Sequence, residues 1–201
     1  MKKLNSFYET SQISEKLKDR LRSLKLIKLA DGRFDVLGDV NFRDLELASL
    51  LEIPIQIRRV TGDFYCGSND LTSFEGAPER VDRDFHCYSN QLTSLEGAPK
   101  YVGGTFNCIR NKLTSLKGAP ERVDGNLWCY NNQLTTLEGA PKHVGGNFVC
   151  SYNQLTTLED AQKFVGGNFY CHSNPKTFIK EEVEKVTFTR GNCYTLLERI
   201  G

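Results

Sequence analysis

The feature that most constrains this 201-residue chain is a 21-residue unit that repeats six times without a slip. The units follow the pattern Val-x-Gly-x-Phe-x-Cys-x-x-Asn-x-Leu-Thr-x-Leu-x-Gly-Ala-Pro-x-x. They begin at Val60, Val81, Val102, Val123, Val144 and Val165. A fixed period of this length is typical of a solenoid, in which each unit buries its apolar face only against neighbouring units.

The apolar positions of the unit form columns that hardly vary. Val, Gly, Phe and Cys lie at even spacing, so we expect them to share the inward face of one extended segment. In the first five units a Leu after the Asn, and a Leu or Phe three residues further on, return the chain to the core. Gly-Ala-Pro suits a tight return, because Pro lacks an N–H and disfavours helix in the residue before it. The pattern therefore predicts one parallel strand per 21-residue coil.

A polar column accompanies the apolar ones. Asn stands three residues after each repeated Cys, at Asn69, Asn90, Asn111, Asn132, Asn153 and Asn174. A turning chain leaves backbone groups unpaired. We therefore expect each of these side-chain amides to bond the backbone of the adjacent coil.

The repeat resembles a known family. Phe106-x-Cys108-x-x-Asn111-x-Leu113 stands where the leucine-rich repeat has Leu-x-Leu-x-x-Asn-x-Leu, although the first Leu of that family's motif is missing. Residues 92–99, Leu-Thr-Ser-Leu-Glu-Gly-Ala-Pro, are similar to short leucine-rich-repeat proteins of tailed bacteriophages and prophages. Those proteins also carry a segment like Asp-Gly-x-x-Asp-Val at residues 31–36. The resemblance implies a mainly β, leucine-rich-repeat-like solenoid and a bacterial host.

The repeats divide the chain into four parts. We predict an N-terminal helix and β-hairpin cap at 1–37, a degenerate first repeat at 38–59, six repeats at 60–178, and a C-terminal cap with a short helix at 179–201. Ser11 or Ser14 can begin the N-terminal helix, and Asp31-Gly32 suits a hairpin turn. An atypical end unit is expected because it must cover the open core of the stack.

Composition and cysteine usage limit the chemistry. The net charge is +1, so no overall field favours nucleic acid or an anionic membrane. No stretch approaches the roughly 20 apolar residues of a membrane span, and the start of the chain lacks the apolar run of a signal peptide. Six of the seven Cys occupy one repeated core position, which favours buried reduced thiols and a cytoplasmic location over disulfides. We expect no metal and no cofactor, because no Cys-x-x-Cys cluster occurs.

Function is expected where the units differ. The residues that alternate with Phe and Cys vary strongly, and they hold the only Trp, most of the Tyr and two of the three His. The candidate binding residues on this face, expected to be concave, are Tyr65, His86, Tyr88, Ile109, Arg110, Trp128, Tyr130, Tyr152, Tyr170 and His172. Trp, Tyr and Arg are enriched in the hot spots of protein interfaces. The alternative is that aromatic residues simply suit strands.

We expect a protein-binding module, because a solenoid surface with aromatic columns suits a protein partner. We expect it to be non-enzymatic, because no pair of these residues suggests acid–base or nucleophilic chemistry. The phage resemblance sharpens this to a protein that binds and blocks a host protein, such as one of antiviral defence. A glycan-binding protein and a virion or tail-associated structural protein are the alternatives, and a homo-oligomer joined through the same face is also open. Nucleic acid is disfavoured, because these columns carry one Arg, no Lys and two Asp.

Overall fold

A computed structural model describes residues 13–161 and 164–195. The chain forms a mainly β, parallel solenoid of about seven turns with few helices. Two sheets run along the stack, one of nine strands (sheet A) and one of eight strands (sheet B). Sheet A is parallel except for its first pair, in which Lys25–Lys28 runs antiparallel to Phe34–Leu37.

The strands are short and are taken in turn from each coil. Sheet A consists of Lys25–Lys28, Phe34–Leu37, Ile57–Val60, Arg80–Val81, Tyr101–Val102, Arg122–Val123, His143–Val144, Phe164–Val165 and Phe188–Thr189. Sheet B consists of Val40–Asn41, Phe64–Tyr65, Phe85–His86, Phe106–Asn107, Leu127–Trp128, Phe148–Val149, Phe169–Tyr170 and Cys193–Tyr194. Equivalent residues of successive coils are in register, so each column of the repeat becomes a row across a sheet.

The prediction of one strand per coil was wrong, because each repeat contributes one strand to each sheet. The chain turns between the Val and the Phe of the unit, so these residues lie in different sheets. The Gly at this corner is not an inward-facing residue but a point of close approach. A Cβ at Gly104 would lie 2.0 Å from Asp84 Oδ1 of the preceding coil, and a Cβ at Gly146 would lie 2.5 Å from Asn126 Oδ1.

The predicted inward columns of Val, Phe, Cys and Leu are confirmed. The repeated Val and Cys side chains and the Phe side chains that precede Cys are at most 1% exposed. Buried Phe rings stack from coil to coil, with ring centroids 5.3 Å apart for Phe64 and Phe85 and 5.5 Å apart for Phe85 and Phe106. The row of thiols also links coils, since Cys129 Sγ donates to the Val149 carbonyl at 3.3 Å. Continuous burial of these rows holds the stack together.

The prediction that Asn bonds the adjacent coil is confirmed as well. Asn111 Nδ2 donates to the carbonyl oxygen of Cys87 in the preceding coil and to that of Cys108 in its own coil, both at 3.1 Å. Its Oδ1 accepts from the N–H of Leu92 at 3.1 Å. These groups are buried, so the side chain satisfies backbone atoms that would otherwise lack a partner.

The ends of the stack differ from the repeats. An α-helix spans Glu15–Arg22, with the Ser14 hydroxyl accepting from the Leu17 N–H at 3.3 Å and with Leu17 and Leu21 buried. A 3-10 helix spans Leu50–Glu52, and a second α-helix spans Lys180–Val186. Ser11, the alternative start of the first helix, lies outside the described residues. The capping role of these elements stays a prediction.

Candidate functional site

The candidate residues lie on the outward surface of sheet B and on the turn that follows it. Phe and Cys point inward, so the residue between them points outward, and the register places these outward residues in one row. The row runs Asn41, Tyr65, His86, Asn107, Trp128, Val149, Tyr170 and Tyr194. Tyr152 and Arg110 are exposed, and the other eight candidates are half-buried.

At the N-terminal end of this surface, aromatic rings pack on one another. The rings of Tyr65 and His86 are stacked, with centroids 4.9 Å apart, and Tyr88 contacts His86 edge-on at 6.5 Å. The Arg43 guanidinium lies over the Tyr65 ring, with Cζ 5.4 Å from its centroid, and Nη1 donates to the Tyr88 hydroxyl at 3.0 Å. The structure therefore brings Tyr65, His86 and Tyr88 into one cluster.

Carboxylates as well as the Arg43 guanidinium act on this cluster. The Tyr65 hydroxyl donates to Asp63 Oδ2 at 2.9 Å. Burial, this hydrogen bond and the neighbouring carboxylates raise the pKa of Tyr65 to about 12. Burial lowers the pKa of His86, although Asp84 and Asp63 act in the opposite direction. A lowered pKa favours the neutral imidazole at neutral pH, which suits a ring that stacks on Tyr65.

The C-terminal end holds a second aromatic cluster. Tyr152 contacts His172 edge-on at 5.3 Å, and Tyr170 is stacked on Tyr194 at 4.5 Å. Burial lowers the pKa of His172. Tyr152 is 47% exposed, which is unusual for a side chain of its size in this protein.

The middle of the surface presents Trp128, Tyr130, Ile109 and Arg110. Trp128 lies between Asn107 and Val149 in the row. Within residues 13–161 and 164–195, neither Trp128 nor Tyr130 stacks on another ring, and Arg110 forms no ion pair. The ten candidates are thus arranged as two packed clusters with a less constrained centre between them.

A further outward row, just before the Phe of each coil, has a structural role. The side chains of Asp39, Asp63 and Asp84 each accept a hydrogen bond from the backbone N–H of the next coil, at 2.9, 3.0 and 2.7 Å. Asn126, Asn147 and Asn168 do the same further along, each at 2.8 Å. Thr105 is the exception in this row, since its hydroxyl accepts from Asn126 Nδ2 at 3.2 Å. The row joins successive coils, and the six Asp and Asn side chains make equivalent contacts.

The outward surface of sheet A is different, because its charged groups are paired internally. Arg58 forms a two-point contact with Asp35 at 2.9 and 2.5 Å, and Asp82 accepts from both Arg59 and Arg80. The Arg80 guanidinium lies 4.0 Å above the Tyr101 ring. Although burial opposes it, hydrogen bonds from the two arginines lower the pKa of Asp82.

A shallow cavity of about 430 Å³ lies between Arg58, Arg59, Glu79 and Arg80, and it is lined by these paired groups.

Two residues that the sequence analysis does not predict, Arg43 and Tyr194, pack against candidate residues. Arg43 follows Phe42, which mirrors Cys66, so it occupies the same column as Tyr88. Tyr194 lies in Gly191-Asn192-Cys193-Tyr194, which mirrors Gly167-Asn168-Phe169-Tyr170 at a spacing of 24 residues. Aligning the degenerate first repeat one residue beyond Phe42 reveals Arg43. Treating residues 191–194 as the start of a further, divergent repeat reveals Tyr194.

Comparisons with known proteins do not indicate a function for this surface. No protein-family model matches the sequence, and a search of curated proteins finds no significant match. Among the described residues, no group of three or more His, Cys, Asp or Glu side chains is placed to hold a metal ion. No helix within that part of the chain is long and apolar enough to cross a membrane.

Proposed function

We propose that this protein is a non-enzymatic protein-binding module that uses the outward surface of sheet B, together with the turn that follows each of its strands. The observation that carries the proposal is that Trp128 and Tyr130 of one coil and Tyr152 of the next all present large aromatic side chains here, with Tyr152 47% exposed. Large aromatic side chains at the surface of a rigid scaffold suit a partner, since they bury much apolar area at little cost in side-chain entropy.

The contrast between the two sheets supports this choice of surface. On sheet A, Arg58, Arg59 and Arg80 are bound to carboxylates, and Tyr101 lies beneath a guanidinium. Those side chains already have partners inside the molecule, so a ligand would have to displace them. On sheet B, the central residues carry no comparable pairing within the described residues.

A glycan-binding function comes second. Stacked aromatic rings next to Asp and Asn side chains are a suitable chemistry for sugars. However, one ring face of Tyr65 covers His86, and one face of Tyr170 covers Tyr194. Fewer ring faces are therefore free to stack on a sugar than the sequence suggests.

For the biological setting, we propose a cytoplasmic leucine-rich-repeat protein of a bacteriophage or prophage that binds and blocks a host protein. The support is the resemblance at residues 92–99 and 31–36, together with six free thiols in the core, which suit a reducing compartment. A virion or tail-associated role is the competing setting. Mass spectrometry of purified particles separates the two, since abundant copies in virions would contradict the inhibitor role.

The binding proposal is tested by capture from host-cell lysate. Tagged wild-type protein is compared with a Trp128→Ala/Tyr130→Ala/Tyr152→Ala variant. The matched control is Leu51→Ala/Ile179→Ala, which removes two side chains that are 59% and 55% exposed but lie outside sheet B. Circular dichroism confirms that all three proteins are folded.

We expect a specific protein that is held by the wild type and the control and is lost from the triple variant. Equal capture by all three proteins would move the binding surface elsewhere on the molecule. Capture of no protein by the wild type would contradict the proposal and favour the glycan or virion alternatives.

A further inference from the structure

Every repeat contains one non-glycine residue with a left-handed backbone, directly before the repeated Asn. These residues are Ser68, Ser89, Arg110, Asn131, Tyr152 and Ser173, with φ between 52° and 55°. Only Gly, and to a smaller extent Asn and Asp, adopts this conformation readily. The sequence pattern gave no sign of it, because Gly does not occupy the position in any of the six repeats.

The framework of the repeat imposes this conformation. Asn111 Nδ2 donates back to the carbonyl oxygens of Cys108 and Ile109, which requires the chain to turn at Arg110. The N–H of the left-handed residue is also used, since Ser68 donates to the Tyr88 carbonyl at 2.9 Å. The left-handed conformation is therefore imposed in all six coils, whereas its energetic cost depends on the residue that stands there.

The choice of residue is least expected at Arg110 and Tyr152. A bulky residue with positive φ is a conformational outlier. Contacts of these side chains within the protein offset little of the conformational strain, because both side chains are exposed. Arg110 makes no ion pair in the described structure, and the ring contact of Tyr152 is an edge-on approach to His172 at 5.3 Å.

We propose that Arg110 and Tyr152 are specificity-determining residues of the protein-binding surface, retained for contacts to the partner at the expense of stability. Residues in sparsely populated backbone conformations cluster at binding sites, and here the framework requires the conformation but neither an Arg nor a Tyr. The inference rests on the proposed function and deepens it by describing the partner. The two residues lie two coils apart, about 10 Å from the 4.8 Å spacing of strands. The partner therefore presents a carboxylate for Arg110 and, about 10 Å away, an apolar recess for the Tyr152 ring.

The test compares stability and affinity in the same variants. Arg110→Asn and Tyr152→Asn place at each site the residue already present at Asn131. Ser89→Asn introduces the same residue at the equivalent position of a coil that holds neither Arg110 nor Tyr152. Asn131→Tyr introduces a bulky residue at the same left-handed position of another coil. Stability is read as the urea midpoint. Affinity is measured by calorimetry with the purified host protein identified in the capture experiment.

We expect Arg110→Asn and Tyr152→Asn to raise the urea midpoint and to weaken binding at least tenfold. Ser89→Asn should leave the affinity unchanged, and Asn131→Tyr should lower the urea midpoint. Arg110→Asn should also remove most of the dependence of affinity on salt, because it removes the cation of the contact.

Two results would overturn the inference. An unchanged or lower midpoint in both Asn variants would show that these residues are not retained at the expense of stability. Unchanged affinity would show that they do not contact the partner, while the loss of binding in the triple variant would still support the proposed function. If the triple variant binds as well as the wild type, the proposed function fails and this inference fails with it.

Discussion

Asn90 ties its own coil to the preceding one, because its Nδ2 donates to the carbonyl oxygen of Cys66 at 3.0 Å. The same side chain accepts from the Leu71 N–H at 3.0 Å and donates to the Cys87 carbonyl at 3.1 Å. Asn90 is 4% exposed, so water does not replace these bonds. The equivalent Asn does the same in the other coils, which makes this column a continuous polar support beside the apolar core.

Asn90→Ala should therefore destabilise the protein strongly. It leaves the Leu71 N–H and the Cys66 carbonyl buried without this partner, at about 3 kcal/mol of unfolding free energy. Urea denaturation followed by circular dichroism measures the effect. The control is the exposed neighbour Gln91→Ala, which should change stability by less than about 0.5 kcal/mol. Equal effects of the two substitutions would contradict the role of the Asn column.

Leu127 and Trp128 are adjacent in sequence and face opposite sides of sheet B. Leu127 is fully buried, so Leu127→Ala should cost about 2–5 kcal/mol of unfolding free energy. Trp128 is half-buried on the outer surface, and Trp128→Ala should cost about 1 kcal/mol or less. Thermal and urea unfolding of both variants measure these costs. A larger loss for Trp128→Ala would show that the surface is assigned incorrectly.

The thiols should differ sharply in reactivity. The six repeated Cys are buried, and burial raises the pKa of their thiols, to about 12 for Cys108. Cys193 is half-buried instead. Since the thiolate is the reactive form, Ellman's reagent should modify one thiol of the native protein quickly and the other six only as the protein unfolds. Cys193→Ser should abolish the fast phase, and several fast-reacting thiols in that variant would contradict a closed core.

His86 should make the protein less stable in mild acid. Its pKa is lowered in the folded state from an unfolded value of 6.5, so below that value the unfolded chain binds more protons than the folded one. Stability supplied by neutral His86 is present above about pH 6.5 and is lost as the pH falls through the folded-state pKa. His86→Gln should therefore flatten the decline in unfolding free energy between about pH 7 and pH 5. His172 retains part of the slope, because its pKa is lowered too. An unchanged slope would contradict this assignment.

Much of the fold follows from the repeat itself. Buried columns of Val, Phe, Cys and Leu, and the Asn between coils, are visible because a solenoid must place equivalent residues on top of one another. The second strand is not visible, since Arg80–Val81 is two residues long and has no alternation to detect. The even spacing of Val, Gly and Phe suggested one extended strand through all three residues. The Gly instead lies at a corner between two strands, where backbone and side-chain atoms of the preceding coil approach closely.

The row of candidate residues was predictable in position but not in detail. Alternation with Phe and Cys places Tyr65, His86 and Trp128 outward, and the register confirms that they share a row. The stacking of Tyr65 on His86 depends on side-chain rotamers, which the sequence does not specify. The left-handed backbone at Arg110 and Tyr152 depends on hydrogen bonds between coils, so it could not be read from the repeat.

The most direct test of the central claim is the affinity of the single variant Trp128→Ala for the purified captured protein, measured by calorimetry beside wild type and Leu51→Ala. Trp128 lies at the centre of the proposed surface, whereas Leu51 is an exposed apolar residue away from it. We expect Trp128→Ala to weaken binding at least tenfold, about 1.4 kcal/mol, with a nearly unchanged unfolding midpoint, and Leu51→Ala to bind like wild type. Wild-type affinity in Trp128→Ala would contradict protein binding through the outward surface of sheet B.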